Sequence, residues 1–260
     1  MRTIPGTPPG TPPGTPIGTL FGTELRKLAS VRSTWILLGA TALLAGLHAA
    51  GLLIGDPAGD LTQDTGKQRV LFSAGMGSVL AIVLGVLTGA GEFRHRTITD
   101  TFLTTPRRGR VLAAKLAAGL TAGALAGLAS AVTTFAVGAS WLAADGNALP
   151  LGERYVWLTL LGGLLWCTAY AVIGVAVGML TRNPALGIVG ALAWLYVVEG
   201  IVVSAFEDVG RWLPSGAASA VGNAVNDGLL PQWGGAVMLG AYAVVIAAVA
   251  ALTTLRRDVT

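Results

Sequence analysis

Few residues of this 260-residue chain could do chemistry, and their surroundings limit what that chemistry can be. Glu199 is a carboxylate inside the apolar run Asn183–Phe206, 17 residues after Arg182, a depth of roughly 25 Å along a helix. An ionisable group so placed in a bilayer costs about 2–3 kcal/mol or more unless it meets a cavity or a partner, which makes it a candidate site. Its open roles are substrate contact, gating through a hydrogen bond, or a purely structural bond. His48, in the first apolar run, is a candidate partner, although a lone helical histidine more often packs than reacts. Ser215, in Pro-Ser-Gly, has no evident base. The single cysteine, Cys167, excludes disulfides and Cys-based metal sites. The two histidines, His48 and His95, fall on opposite sides of the expected bilayer, and neither H-E-x-x-H nor a paired-glutamate motif occurs. No metal site and no enzyme chemistry within this chain are therefore expected.

The elements that must position these residues are membrane spans. The chain is 53% hydrophobic and 12% charged, about half the ~25% charge content of soluble domains. Six stretches of at least 22 residues lack Asp, Glu, Lys and Arg, with Glu199 the one interruption. A hydrocarbon core of ~30 Å takes ~20 helical residues to cross, so six helices use most of the chain. Spans are expected at approximately 33–55, 70–91, 111–144, 155–181, 183–206 and 232–255, all in one domain, 17–260. The fold class is an all-α membrane protein. Too little chain remains for a nucleotide-hydrolysing domain. No G-x-x-x-x-G-K-[ST] loop is present either, since Gly66-Lys67 is followed by Gln68.

The net charge of +4 could suggest nucleic acid, but its distribution excludes that partner. With the N-terminus inside, 13 of the 17 Lys and Arg residues collect on the cytoplasmic side, and only Lys67, Arg69, Arg154 and Arg211 face out. Acidic residues such as Asp56, Asp60, Asp145 and Glu153 lie in the outer loops. Both termini are expected in the cytoplasm, as an even number of spans requires.

Residues 1–16 repeat a Gly-Thr-Pro-Pro unit too rich in Pro and Gly to pack, and are read as a disordered or polyproline-II tail. They lack a cleavable signal pattern, so insertion through the first span is expected. From Ile17 the pattern becomes amphipathic. Ile17, Phe21, Leu25, Leu28 and Val31 recur at helical steps, while Glu24, Arg26, Lys27 and Ser30 take the other side. This predicts an interfacial helix over 17–32, apolar side toward lipid and basic side, with Arg32, toward anionic headgroups, before Trp35 anchors span one. The alternative is a plain extension of span one.

The one sizeable inner loop, Glu92 to Arg110, puts His95, Ile98 and Phe102 on one helical face, with Arg94, Arg96 and Asp100 around them, until Pro106 breaks the helix ahead of Arg107 and Arg108. Exposed apolar residues among charges suit a protein contact. A loop that only fixes topology is the plainer alternative. Glu92 either pairs with Arg94, Arg96 or the N-terminal helix, or caps the loop helix.

Three stretches, Glu24–Trp35, Gly91–Ile98 and Pro106–Lys115, resemble the ABC-2 type permeases of actinobacteria, and the likeness covers nearly all of the chain after the tail. Its most specific part is the glutamate closing span two, then an aromatic residue, basic residues, Thr-Ile and Pro-Arg-Arg. The resemblance implies a permease subunit of the bacterial cell membrane, paired with a second copy, a homodimer being favoured over a heterodimer. It implies export of a hydrophobic or amphipathic substrate, such as a drug, lipid-like molecule or natural product. Separate ABC ATPase subunits would carry the ATP and Mg, and no cofactor would be bound by this chain. It also implies that the 92–108 loop holds a coupling helix, with Arg94, His95, Thr97, Ile98, Thr101 and Phe102 at the ATPase, and that Arg211–Asp227 forms a re-entrant outer lid. A Val-Val-Glu sequence like that ending at Glu199 is common in the fifth span of this family.

The Gly119, Gly123, Gly127 ladder and the pair Gly174/Gly178 have the spacing that lets helices approach, and are read as packing within the subunit. An ion- or proton-coupled transporter using Glu199 is the main rival. It calls for helices broken near mid-membrane, and the sequence shows no paired Gly/Pro interruptions in corresponding halves.

Overall fold

A computed structural model describes residues 16–55, 61, 63–94 and 108–256, and among these there is helix and turn but no strand. The helices are α1 (Ile17–Ser30), α2 (Arg32–Ile54), α3 (Asp64–Phe72), α4 (Ser78–Arg94), α5 (Arg108–Ala144), α6 (Arg154–Thr181), α7 (Pro184–Ala193), α8 (Glu199–Ala205), α9 (Pro214–Val221) and α10 (Gln232–Arg256). Six are long and apolar enough to cross a membrane: α2, α3 with α4, α5, α6, α7 with α8, and α10. This is the architecture of a multi-pass, all-α membrane protein.

Span ends follow local chemistry. Between α6 and α7, Arg182 takes a left-handed conformation (φ 52°), Asn183 accepts hydrogen bonds from the backbone of Ala185 and Leu186, and Pro184 opens the next helix. A left-handed stop, an Asn cap and a first-turn proline turn the chain through three residues. Between α1 and α2 the break is Val31, which is extended, and Trp35 Nε1 reaches back to the Ala29 carbonyl at 2.9 Å. The N-terminal helix is thus a separate element and not an extension of span one.

Two spans are not continuous α-helix. Span two begins at Asp64, earlier than expected, so Lys67 and Arg69 are helical; it is interrupted by a 3₁₀ turn at Ser73–Gly75. Close packing accompanies the interruption. A Cβ on Gly75 would fall inside the Trp166 indole, and one on Gly77 would collide with Ser130 and Thr41. Span five passes through a π-helical stretch, Trp194–Val198, with no Gly or Pro in it to announce the change.

The interior is formed by spans two, three and four. In their most apolar stretches 67, 56 and 67% of residues are buried, against 22, 17 and 17% for spans one, five and six. Glycine spacing explains the density. A Cβ on Gly85 or Gly89 of α4 would strike the carbonyl of Ala171 or Val175 in α6, and one on Gly174 the carbonyl of Ile82 in return. Gly123 and Gly127 bring α5 onto the α6 backbone at Thr168 and Leu164, and Gly119 lies against the Val175 side chain. Both ladders pack within the subunit as expected, small residues mostly against backbone, which is how helices associate where water supplies no hydrophobic force. Cys167 is buried at this crossing and free.

Candidate functional site

Glu199 is 1% exposed, while its neighbours Val198 and Gly200 lie on the outer surface. The π-helical stretch explains this placement. One inserted residue advances a helix by about 100°, enough to carry the carboxylate from the periphery to the inside. There Glu199 Oε2 accepts the backbone N–H of Ser215 at 2.9 Å. Ser215 is the second residue of α9, after Pro214, and the residue before the helix, Leu213, offers no side-chain cap. The carboxylate therefore caps α9 from another helix, satisfying an otherwise orphaned donor with charge that favours the positive helix end. The hydroxyl of Ser215 plays no part in this bond.

The surroundings of Glu199 are aromatic. Tyr170 and Tyr242 lie within electrostatic reach of the carboxylate, Trp166 packs edge-on to Tyr170 with 6.0 Å between centroids, and Tyr242 donates its phenol proton to the Trp212 carbonyl at 3.0 Å. Two buried polar atoms, Glu199 Oε1 and the Trp166 indole nitrogen, have no hydrogen-bond partner among the described residues. The far end of α9 is also tied down. Gln232 donates to the carbonyls of Val221 and Leu158, and Asn223, left-handed at φ 59°, donates to Thr159 Oγ1 at 2.9 Å. His48 is not the partner of Glu199. Its Nδ1 lies 2.8 Å from Ser73 Oγ, at the break in span two.

The opposite end of the bundle holds a second polar centre. Glu24 of α1, 6% exposed, meets Lys115 of α5 at 3.1 Å and Lys27 at 2.7 Å. Lys115 is 1% exposed, although its neighbours Ala114 and Leu116 suggest nothing but an apolar helix. Amphipathic spacing puts Glu24 on the polar side of α1 with Arg26 and Lys27. The structure turns it inward against α5, where a buried ammonium needs a counter-charge more than lipid headgroups need a carboxylate. Arg26 and Arg32 are exposed, while Phe21 and Leu28 are half-buried.

No family model and no curated protein matches this chain.

Of the residues expected to couple to an ATPase, His95, Thr97, Ile98, Thr101, Phe102, Pro106 and Arg107 lie outside the described residues. Glu92 and Arg94 belong to the last turn of α4, and Arg108 opens α5. The 95–107 segment thus enters α5 about two turns before Lys115. Among the described residues no three His, Cys, Asp or Glu side chains come together as a metal site would require.

Sequence reasoning missed the partners at both centres. A signal for each was present: a lone lysine in the apolar run Val111–Leu120, and a helix opening Leu-Pro-Ser with no capping side chain of its own.

Proposed function

We propose that this chain is the membrane-spanning permease subunit of an ATP-driven exporter, of the ABC-2 type that it resembles at residues 24–35, 91–98 and 106–115. The observation that carries the reading is the buried Glu24–Lys115 pair. A subunit that hydrolyses nothing itself must receive a push through a cytoplasmic loop and pass it on to its spans. Here the helix that leaves the 95–107 loop is fastened to α1 by an ion pair shielded from water, so the two helices move as one lever. In this reading both termini are cytoplasmic and α1 lies in the inner interface of a bacterial cell membrane. The 92–108 loop docks on a separate ATPase that holds ATP and Mg, and a second copy of the chain completes the pathway. Residues 211–227 act as an outer re-entrant lid, latched by Glu199, over a route for a hydrophobic or amphipathic substrate.

The test is capture. Tagged protein purified from its native membranes should bring with it a chain that a photoreactive ATP analogue labels. Replacing Ile98 and Phe102 together with Asp should leave insertion intact and remove that chain. Co-purification unchanged in the double variant would overturn the coupling assignment.

A second reading, an ion- or proton-coupled transporter, is favoured by one observation. The broken spans, two and five, occupy the same place in the two three-span halves, each break falling about ten residues after its span begins. Paired discontinuities of this kind surround substrate sites in inverted-repeat transporters, and the unpartnered Glu199 Oε1 would then be the proton or ion acceptor.

A further inference from the structure

Span five is packed in its first half and nearly bare in its second. Gly187 sets α7 close against Val86 of α4, and Ala191 is buried in the interior. From Trp194 to Phe206, by contrast, Glu199 alone is buried, and Trp194, Tyr196, Val197, Ile201 and Phe206 are all more than half exposed. What ties α8 to another helix is the Ser215 N–H on Glu199 Oε2. Soft joints flank it: the π-helical stretch Trp194–Val198 on one side, and on the other Phe206, whose φ of −141° and ψ of 82° leave the helix. Helices bend at such places.

The other side of the tie lacks this freedom. A Cβ on Gly235 would strike the Ala217 carbonyl and one on Gly162 the Val221 carbonyl, so α9 lies closely on the backbones of α10 and α6. Gln232 donates to the carbonyls of Val221 and Leu158, and Gln68 of span two to the Asn223 carbonyl at 2.7 Å. Of the two partners, α9 is the fixed one. Closure also leaves polar groups dry: Glu199 Oε1 and the Trp166 indole nitrogen are buried with no partner among the described residues, and Tyr170 lies within reach of both. An unpaired buried donor or acceptor is costly, and water admitted by opening removes that cost. One bond holds the closed form while two orphaned groups oppose it.

We propose that α8 is a hinged strap, which swings away from Trp166 and Tyr170 about the Trp194–Val198 stretch and Phe206, and which the Ser215 N–H on Glu199 holds shut. The strap goes beyond the permease reading, since it rests on packing alone and is independent of what drives transport. It also decides which side of the latch moves.

The test is spin-label distance measurement on the full-length chain in lipid nanodiscs, where the buried Cys167 leaves the label to introduced cysteines. Labels on Asn147→Cys and Ile201→Cys, both exposed positions, report the strap against the α5–α6 connection; Asn147→Cys paired with Val189→Cys or Ser219→Cys reports α7 or α9. The parent and Glu199→Gln, whose amide oxygen still accepts the Ser215 N–H, should show a short 147–201 distance with a minor long one. Glu199→Leu should raise the long population several-fold and leave the 147–189 and 147–219 distances unchanged. Ser215→Pro withdraws the donor from the fixed side and should do the same, so the result does not hang on the folding of one variant. A disulfide gives the second readout. A Cβ on Gly210 would lie 3.9 Å from the Val203 Cβ, within bonding range, so Val203→Cys with Gly210→Cys should oxidise readily in the parent background and several-fold more slowly with Glu199→Leu. A 147–201 distance indifferent to both substitutions, one that lengthens only together with 147–189 or 147–219, or equal oxidation rates would overturn the strap.

Discussion

Spans two, three and four form the interior and spans one, five and six the periphery, yet the two groups are equally hydrophobic. Mean hydropathies are 2.3, 1.7 and 2.0 for the first group and 1.9, 2.1 and 2.3 for the second. In water the more apolar helix goes inside, but between helices and lipid there is no such gradient, and hydropathy loses its power to sort. Shape sorts them instead. Gly85 and Gly89 face Gly174 and Gly178 at matched spacing, so two backbones meet, while Gly39, Gly190, Gly200 and Gly240 on the peripheral spans meet nothing within 4 Å. The few polar groups then tie periphery to interior: Glu24 to Lys115 at one end, and Glu199 to Ser215 at the other, where span five holds the helix packed beneath span six.

The comparison is broken most severely at the ion pair. Lys115→Met removes the interior partner of a buried pair, a change that ordinarily costs about 3–5 kcal/mol; the low end is expected because Lys27 stays on Glu24. Equilibrium unfolding in mixed micelles would measure it, and the double replacement Glu24→Leu with Lys115→Met should recover much of the loss. A cost below that of a surface substitution would mean that the tie is ornamental.

Next in size is the glycine contrast. Gly85→Ala places a methyl on the Ala171 carbonyl and should destabilise by about 1–3 kcal/mol, whereas Gly190→Ala should be neutral or slightly stabilising, since helix propensity favours Ala by up to ~1 kcal/mol. Equal effects at the two positions would erase the distinction between interior and periphery.

The tie at Glu199 is smaller. Glu199→Gln keeps the acceptor for the Ser215 N–H and should cost about 1 kcal/mol or less. Glu199→Leu strands that donor and should cost about 1–3 kcal/mol. Amide exchange at Ser215 distinguishes the two, slow in the Gln variant and fast in the Leu variant.

Much of this architecture was legible in the sequence. Spans one, three, four, five and six begin and end within a few residues of their apolar runs, because the length of a bilayer crossing and the absence of charge are both local properties. Span two starts earlier than its apolar run because Lys67 and Arg69 look like loop residues but belong to the helix that begins at Asp64. The two centres were half legible. Glu199 stood out as a lone charge, but its partner is a backbone N–H, which no residue type advertises. Lys115 was counted with the positive charges of the inner face, because its partner lies 91 residues away and helical periodicity compares only neighbours. The break in span two falls where Gly75 lies against Trp166, and the one in span five contains no Gly or Pro, so periodicity could not foresee either.

The most direct test of the account is transport into inside-out vesicles supplied from the outside with ATP and a fluorescent amphipathic probe while the proton gradient is collapsed. The account predicts that the complex of wild-type chain and its ATPase keeps accumulating the probe, and that Glu199→Gln retains most of that activity because the side chain serves to latch α9, which the amide oxygen can also do. Wild-type accumulation that vanishes with the gradient, whatever the ATP supply, would contradict it and leave the proton-coupled reading in its place.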